Sequence, residues 1–81
     1  MEFPYYGKRK SGSYEIFFAI NSKDYKKDIM ILFNENELIS IKNYSLFTSA
    51  EDVIDSKKIT KQELLDALEK AIEQIRKKLN E

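Results

Sequence analysis

The chain has no cysteine, no histidine and no tryptophan, and holds one proline and two glycines. Without thiols there is no disulfide framework, no zinc-thiolate site and no cysteine nucleophile, which removes the small secreted scaffolds that depend on cross-links. Without imidazole the chain also lacks the commonest transition-metal ligand and the side chain best suited to proton transfer near neutral pH. Serine and threonine are scattered with no base to activate them, and no lysine has a visible reason to be deprotonated. The expectation is a non-enzymatic protein without cofactor or metal. No apolar run approaches bilayer-crossing length, and Met1-Glu2-Phe3-Pro4 lacks the basic-then-apolar order of a signal peptide. A cytoplasmic location with no membrane partner is therefore expected.

What is present is one domain, 1–81, near the size at which a single core just suffices. Fourteen Lys and Arg balance 14 Asp and Glu, so the net charge is zero. The balance hides segregation. Residues 1–27 carry six basic and three acidic side chains, 28–56 carry one and six, and 57–81 carry seven and five. The middle is acidic between basic flanks. A neutral total weighs against wholesale nucleic-acid binding and leaves a local basic patch open.

Strand signals come first and the helix signal last. Residues 13–20, Ser-Tyr-Glu-Ile-Phe-Phe-Ala-Ile, are rich in aromatic and β-branched types between polar boundaries, which predicts a strand. Residues 28–33 predict a second, Asn34-Glu35-Asn36 a tight reversal, and 37–47 a third that bends or breaks around Lys42-Asn43, with a separate short strand at 44–47 as the alternative. Residues 1–12 read as a basic, aromatic N-terminal segment. Thr48-Ser49-Ala50-Glu51 has capping-box spacing and predicts a short helix near 49–55, an edge strand being the competing reading. The clearest element is a helix over 60–79, with Thr60 as cap, Glu63 at the reciprocal position and Ile59 placed to staple onto Leu64. Its residues Leu65, Leu68, Ile72, Ile75 and Leu79 recur at three- and four-residue steps, with Leu64 and Ala71 widening the stripe, which predicts the core-facing side. The fold class is α+β: a small antiparallel sheet of three to four strands followed by one long C-terminal helix packed across one face.

Such a sheet has more apolar surface than one helix covers. In the first strand Tyr14, Ile16, Phe18 and Ile20 alternate with Glu15, Phe17 and Ala19, and in the second Ile29, Ile31 and Phe33 alternate with Met30 and Leu32. Three covers for the second face are open: the N-terminal aromatics Phe3, Tyr5 and Tyr6 folding back, a second copy of the chain, or another macromolecule. Left bare, that face would reach roughly a few hundred Å², the size that marks interaction sites.

The first functional expectation is thus a small intracellular binding module acting through protein–protein interaction, as an inhibitor, immunity or regulatory protein. Its contacts would be Phe17, Met30 and Leu32 on the second face, with Glu35, Glu37, Glu51, Asp52 and Asp55 drawing in a partner with a basic surface. Asp52 and Asp55 stand one helical turn apart, yet nothing supplies the further ligands of a cation site, so they read as surface acids. The alternative is single-stranded nucleic-acid binding by Tyr5, Tyr6, Lys8, Arg9, Lys10 and Tyr14, a mixture of cations and stacking rings around a loop over residues 7–12. A homodimer is compatible with either. Strands followed by a long helix, entered through Lys57-Lys58-Ile59-Thr60-Lys61-Gln62-Glu63, resembles the element order of the transcriptional-coactivator family that binds single-stranded DNA as a dimer. The strands here lack the regular Lys/Arg enrichment of a DNA-facing sheet, and one fold hosts many functions.

Overall fold

Two tight turns set the register of the sheet. A computed structural model of the chain describes residues 3–20, 26–42, 46–47 and 55–80, with backbone alone at 26–28 and 46–47. Strands β1 (Tyr5–Ser11) and β2 (Tyr14–Ile20) are joined by Gly12-Ser13. Gly12 has φ +60 at the first central position, where a side chain would be strained and glycine is not. Strands β3 (Lys26–Asn34) and β4 (Glu37–Lys42) are joined by Glu35 (φ 51) and Asn36 (φ 69), both left-handed, the turn whose twist matches that of the strands. The Glu35 amide donates to the Ser13 carbonyl at 3.0 Å, and Ser13 Oγ donates to Asn34 Oδ1 at 2.7 Å, so both turns are tied at one end of the sheet.

Two short strands, β5 (Leu46–Phe47) and β6 (Lys57–Lys58), complete an antiparallel sheet in the order β4-β3-β2-β1-β6, with β5 pairing β3 at Lys26 and Lys27. Within the third predicted strand the described residues form β4, ending at Lys42, and β5 at Leu46–Phe47, with 43–45 outside the described residues. The short helix expected near 49–55 falls on residues 49–54, outside the described residues, and Asp55 lies in a turn.

The N-terminal segment is corrected. It is strand β1, paired with β2 from Tyr5↔Ile20 to Ser11↔Tyr14, and residues 7–11 form no loop. Three consecutive cations masked the strand signal; the informative feature was the two-residue connection with glycine in first place. β6 lies against β1 at Gly7 and Lys8, and the Ile59 amide donates to the Tyr6 carbonyl at 3.0 Å.

The grouping of faces is corrected as well. Phe17 stands opposite Ile31, whereas Met30 stands opposite Phe18 and Leu32 opposite Ile16. Phe17 thus shares the helix side with Ala19, Ile31 and Phe33, and its ring meets Phe33 edge-on at 5.8 Å. Met30 and Leu32 share the far side with Ile16, Phe18 and Ile20. That far side is not bare: Phe18 and Ile20 are buried, and Met30 and Leu32 are half-buried. Of the N-terminal rings, Tyr5 tilts against Phe18 at 6.2 Å, while Tyr6 packs on the helix-side core.

The helix, α1 (Lys61–Asn80), begins as the sequence indicated. Thr60 Oγ1 accepts from the Glu63 amide at 3.1 Å, the Thr60 amide donates to Glu63 Oε1 at 3.3 Å, and Ile59 and Leu64 are buried in one cluster. Its orientation differs from expectation. The side facing the sheet is Leu64, Ala67 and Ala71, so of the stripe read as core-facing Leu64 and Ala71 are buried and Leu68 leans on the core, while Leu65, Ile72 and Ile75 are about two-fifths exposed and Leu79 80 % exposed. Two alanines let the helix sit close on Ile31 and Phe33, where Leu and Ile would hold it away. Polar clamps fix that rotation. Gln74 Oε1 accepts from the Leu38 amide at 2.7 Å, Gln74 Nε2 donates to the Asn36 carbonyl at 2.8 Å, and Lys70 Nζ donates to Asn36 Oδ1 at 3.2 Å.

Gly7 shows how close the packing is on the far side. A Cβ added there would lie 2.5 Å from Phe18 Cζ and 2.9 Å from Tyr5 Cε1, and the Phe18 ring, 1 % exposed, has no room to swing away. Gly7→Ala is expected to lower stability by about 1–3 kcal/mol, read as a shift of the urea midpoint at unchanged slope. Phe18→Leu in the same chain should return part of the loss, and a Gly7→Ala midpoint equal to wild type would refute the contact.

Candidate docking surface

The outward stripe of α1 is the largest apolar feature exposed among the described residues. Leu65, Leu68, Ile72, Ile75 and Leu79 follow a three-four-three-four spacing, which keeps them on one side of a helix for four turns. Leu68 is half-buried where it leans on the core, and the other four are exposed. Together they present on the order of a few hundred Å² of apolar surface. Glu69 and Arg76 flank the stripe and, with Ile72 and Glu73, line an open groove of about 420 Å³. Beyond Gln74, the last residue clamped to the turn, residues 75–80 are all exposed and extend roughly 9 Å.

This surface was present in the sequence in ambiguous form. The helix carries two interleaved stripes, Leu64-Ala67-Ala71-Gln74 and Leu65-Leu68-Ile72-Ile75-Leu79. Periodicity favours the second for the core side, with Leu64 and Ala71 as its border, and the sheet contact centres on that border and Ala67. The available signal was Gln74, a polar residue that continues the smaller stripe at the place where an edge strand offers an unpaired amide.

The other expected contact residues are dispersed. Glu35 and Glu37 are exposed at the β3–β4 turn, while Asp55 lies beside β1 with its carboxylate 3.8 Å from the Arg9 guanidinium. With β3, β2 and β1 lying between, at about 4.8 Å per strand, the two groups stand roughly 15–20 Å apart. The single acidic edge does not form among the described residues, which exclude Glu51 and Asp52. Nor do the basic and aromatic residues share a face. Strand alternation puts Tyr6, Lys8 and Lys10 on the helix side and Tyr5, Arg9 and Tyr14 on the far side. Several are engaged within the chain: Lys8 Nζ lies 3.0 Å from Glu15 Oε2 and 5.3 Å from the centre of the Phe17 ring, and Tyr5 Oη hydrogen-bonds Ser56 Oγ at 2.8 Å.

No helix among the described residues is long and apolar enough to cross a membrane. No family model, curated protein or solved structure matches the chain. The protein is an α+β domain whose most exposed apolar feature is one side of its terminal helix.

The Glu15 carboxyl is held below the usual value near 4.5, first by its hydrogen bond to Lys8, against a smaller opposing effect of burial, with the charges of Lys8, Lys10 and Lys70 adding to the lowering. A carboxyl whose folded pKa is depressed stabilises the fold above its unfolded pKa, and that contribution fades as pH falls through the folded value. Glu15→Gln is therefore expected to cost under about 1 kcal/mol at pH 7, since both partners are partly solvated. Its midpoint should converge on that of wild type as pH drops below about 4.5. A deficit that is the same at pH 7 and pH 3 would rule out the charge pair as its cause.

Proposed function

We propose that this chain is a small non-enzymatic binding module of the cytoplasm, acting through protein–protein interaction in an inhibitory, immunity or regulatory role. The observation that carries this reading is the outward stripe on α1. Beside the core contact made by Leu64, Ala67 and Ala71, the helix leaves Ile72, Ile75 and Leu79 at helical spacing with about two-fifths or more of each residue exposed. Exposed apolar ladders of that kind are the means by which helices recognise other helices. The partner is accordingly a protein that offers an amphipathic helix, and the flanking charges of Glu69 and Arg76 select among such helices. The contact surface thus moves from the far sheet face, where Met30 and Leu32 are half-buried, to the helix.

Retention on the tagged chain at moderate salt tests the reading when wild type is compared with Ile75→Glu. Because Ile75 is exposed, the substitution should leave the thermal midpoint within a few degrees. A protein held by wild type and released by Ile75→Glu, an untagged copy of the chain included, is the expected result. Retention of nothing, or equal retention by both, overturns it.

A further inference from the structure

The outward stripe is self-complementary. Laid antiparallel against the helix of a second copy, Ile72 meets Ile75 and Leu68 meets Leu79, and two-fold symmetry repeats both pairs, giving four consecutive apolar layers. In that register Glu69 of each copy falls near Arg76 of the other, and because the two residues are seven apart both pairs lie along the one flank that faces away from the sheet. The competing registers do worse. Displacing one helix by seven residues pairs Ile72 with Leu68, sets Glu69 against Glu69 of the second copy and leaves Leu79 opposite Lys61. A parallel pairing places Glu69 beside Leu64 and Arg76 beside Ala71, which are already buried in the sheet contact, and forms no charge pair.

The shape of the domain permits the antiparallel arrangement. Its two-fold axis passes between residues 73 and 74, where α1 leaves the sheet, so the two sheets lie toward opposite ends of the helix pair. We infer that a second copy of this chain occupies the α1 stripe, paired antiparallel through Leu68, Ile72, Ile75 and Leu79 with two Glu69–Arg76 ion pairs along its outer flank. The inference rests on the reading of the stripe as the docking surface and names its occupant. Four layers span about 18 Å of helix and cover less than the roughly 800 Å² per partner of a standard interface. The dimer is therefore a weak one, with a dissociation constant in the micromolar range or above. Each copy keeps its own core, since Leu64, Ala67 and Ala71 are buried within a single chain.

Sedimentation equilibrium from about 5 to 500 μM should show the mass rising from the 9.6 kDa monomer toward twice that value. Leu79→Ser should weaken association at least about tenfold, while Leu65→Ser, one layer outside the paired stretch, should stay within about twofold. Arg76→Glu should weaken it about fivefold, and the double variant Glu69→Arg with Arg76→Glu should recover it. Leu79 is 80 % exposed in the monomer, so an unchanged circular dichroism spectrum of Leu79→Ser at low concentration confirms that the fold is intact. A wild-type chain that stays monomeric throughout, or a dimer indifferent to Leu79→Ser, overturns the second copy as occupant. Either result leaves the broader reading to stand or fall on the Ile75→Glu retention experiment, whose readout does not depend on which protein is held.

Discussion

Ala67 and Ala71 form the seat of the terminal helix on the sheet, and the disposition of the other apolar side chains of α1 follows from it. A helix touching a sheet through methyl groups approaches more closely than one touching it through Leu or Ile, and the rings of Phe17 and Phe33 fill the space below. Leu64 and Ile59 close the N-terminal end of the contact. At the other end the Gln74 side chain satisfies an amide of β4 and a carbonyl of the β3–β4 turn at once, which sets the rotation of the helix about its axis. Once that rotation is set, Leu64 lies inward while Leu65, Ile72, Ile75 and Leu79 are left exposed.

The sheet follows a parallel logic. Its register is set by left-handed turn residues and by bulges, among them the one that leaves Ile39 as an extra residue in β4 between Leu38 and Ser40. Register then decides which charges meet. Lys8 and Glu15 come together diagonally across β1 and β2, and Arg9 finds Asp55 beside β6, so basic and acidic groups that are segregated along the chain become neighbours in space. Pairing of this kind gives little stability at a solvated surface. It does disperse the local fields that a linear charge count suggests.

The apolar residues of α1 fall on two adjoining sides of the helix, with Leu68 between them. Ile72, Ile75 and Leu79 lie outside the side that buries Leu64, Ala67 and Ala71, so substitutions among them leave the buried cluster in place. A chain of 81 residues has little stability to spare, and the exposed positions of α1 vary at little cost to it.

Local chemistry was legible in the chain. Thr60 and Glu63 mark the helix start because capping depends on residues three apart, and the β2, β3 and β4 segments announce themselves by composition and by the polar residues between them. Strand β1 was hidden because three consecutive cations look like a solvated loop until Lys8 meets Glu15 across the hairpin and Arg9 meets the distant Asp55. The face shared by Phe17 with Ile31, and the outward turn of Leu65, Ile72, Ile75 and Leu79, were equally beyond local reading. Periodicity says that residues share a side of an element. Which side meets the core depends on the height and chemistry of the surface opposite, and that surface exists only when residues far apart in the chain, such as Leu38 and Gln74 at a separation of 36, have been brought together.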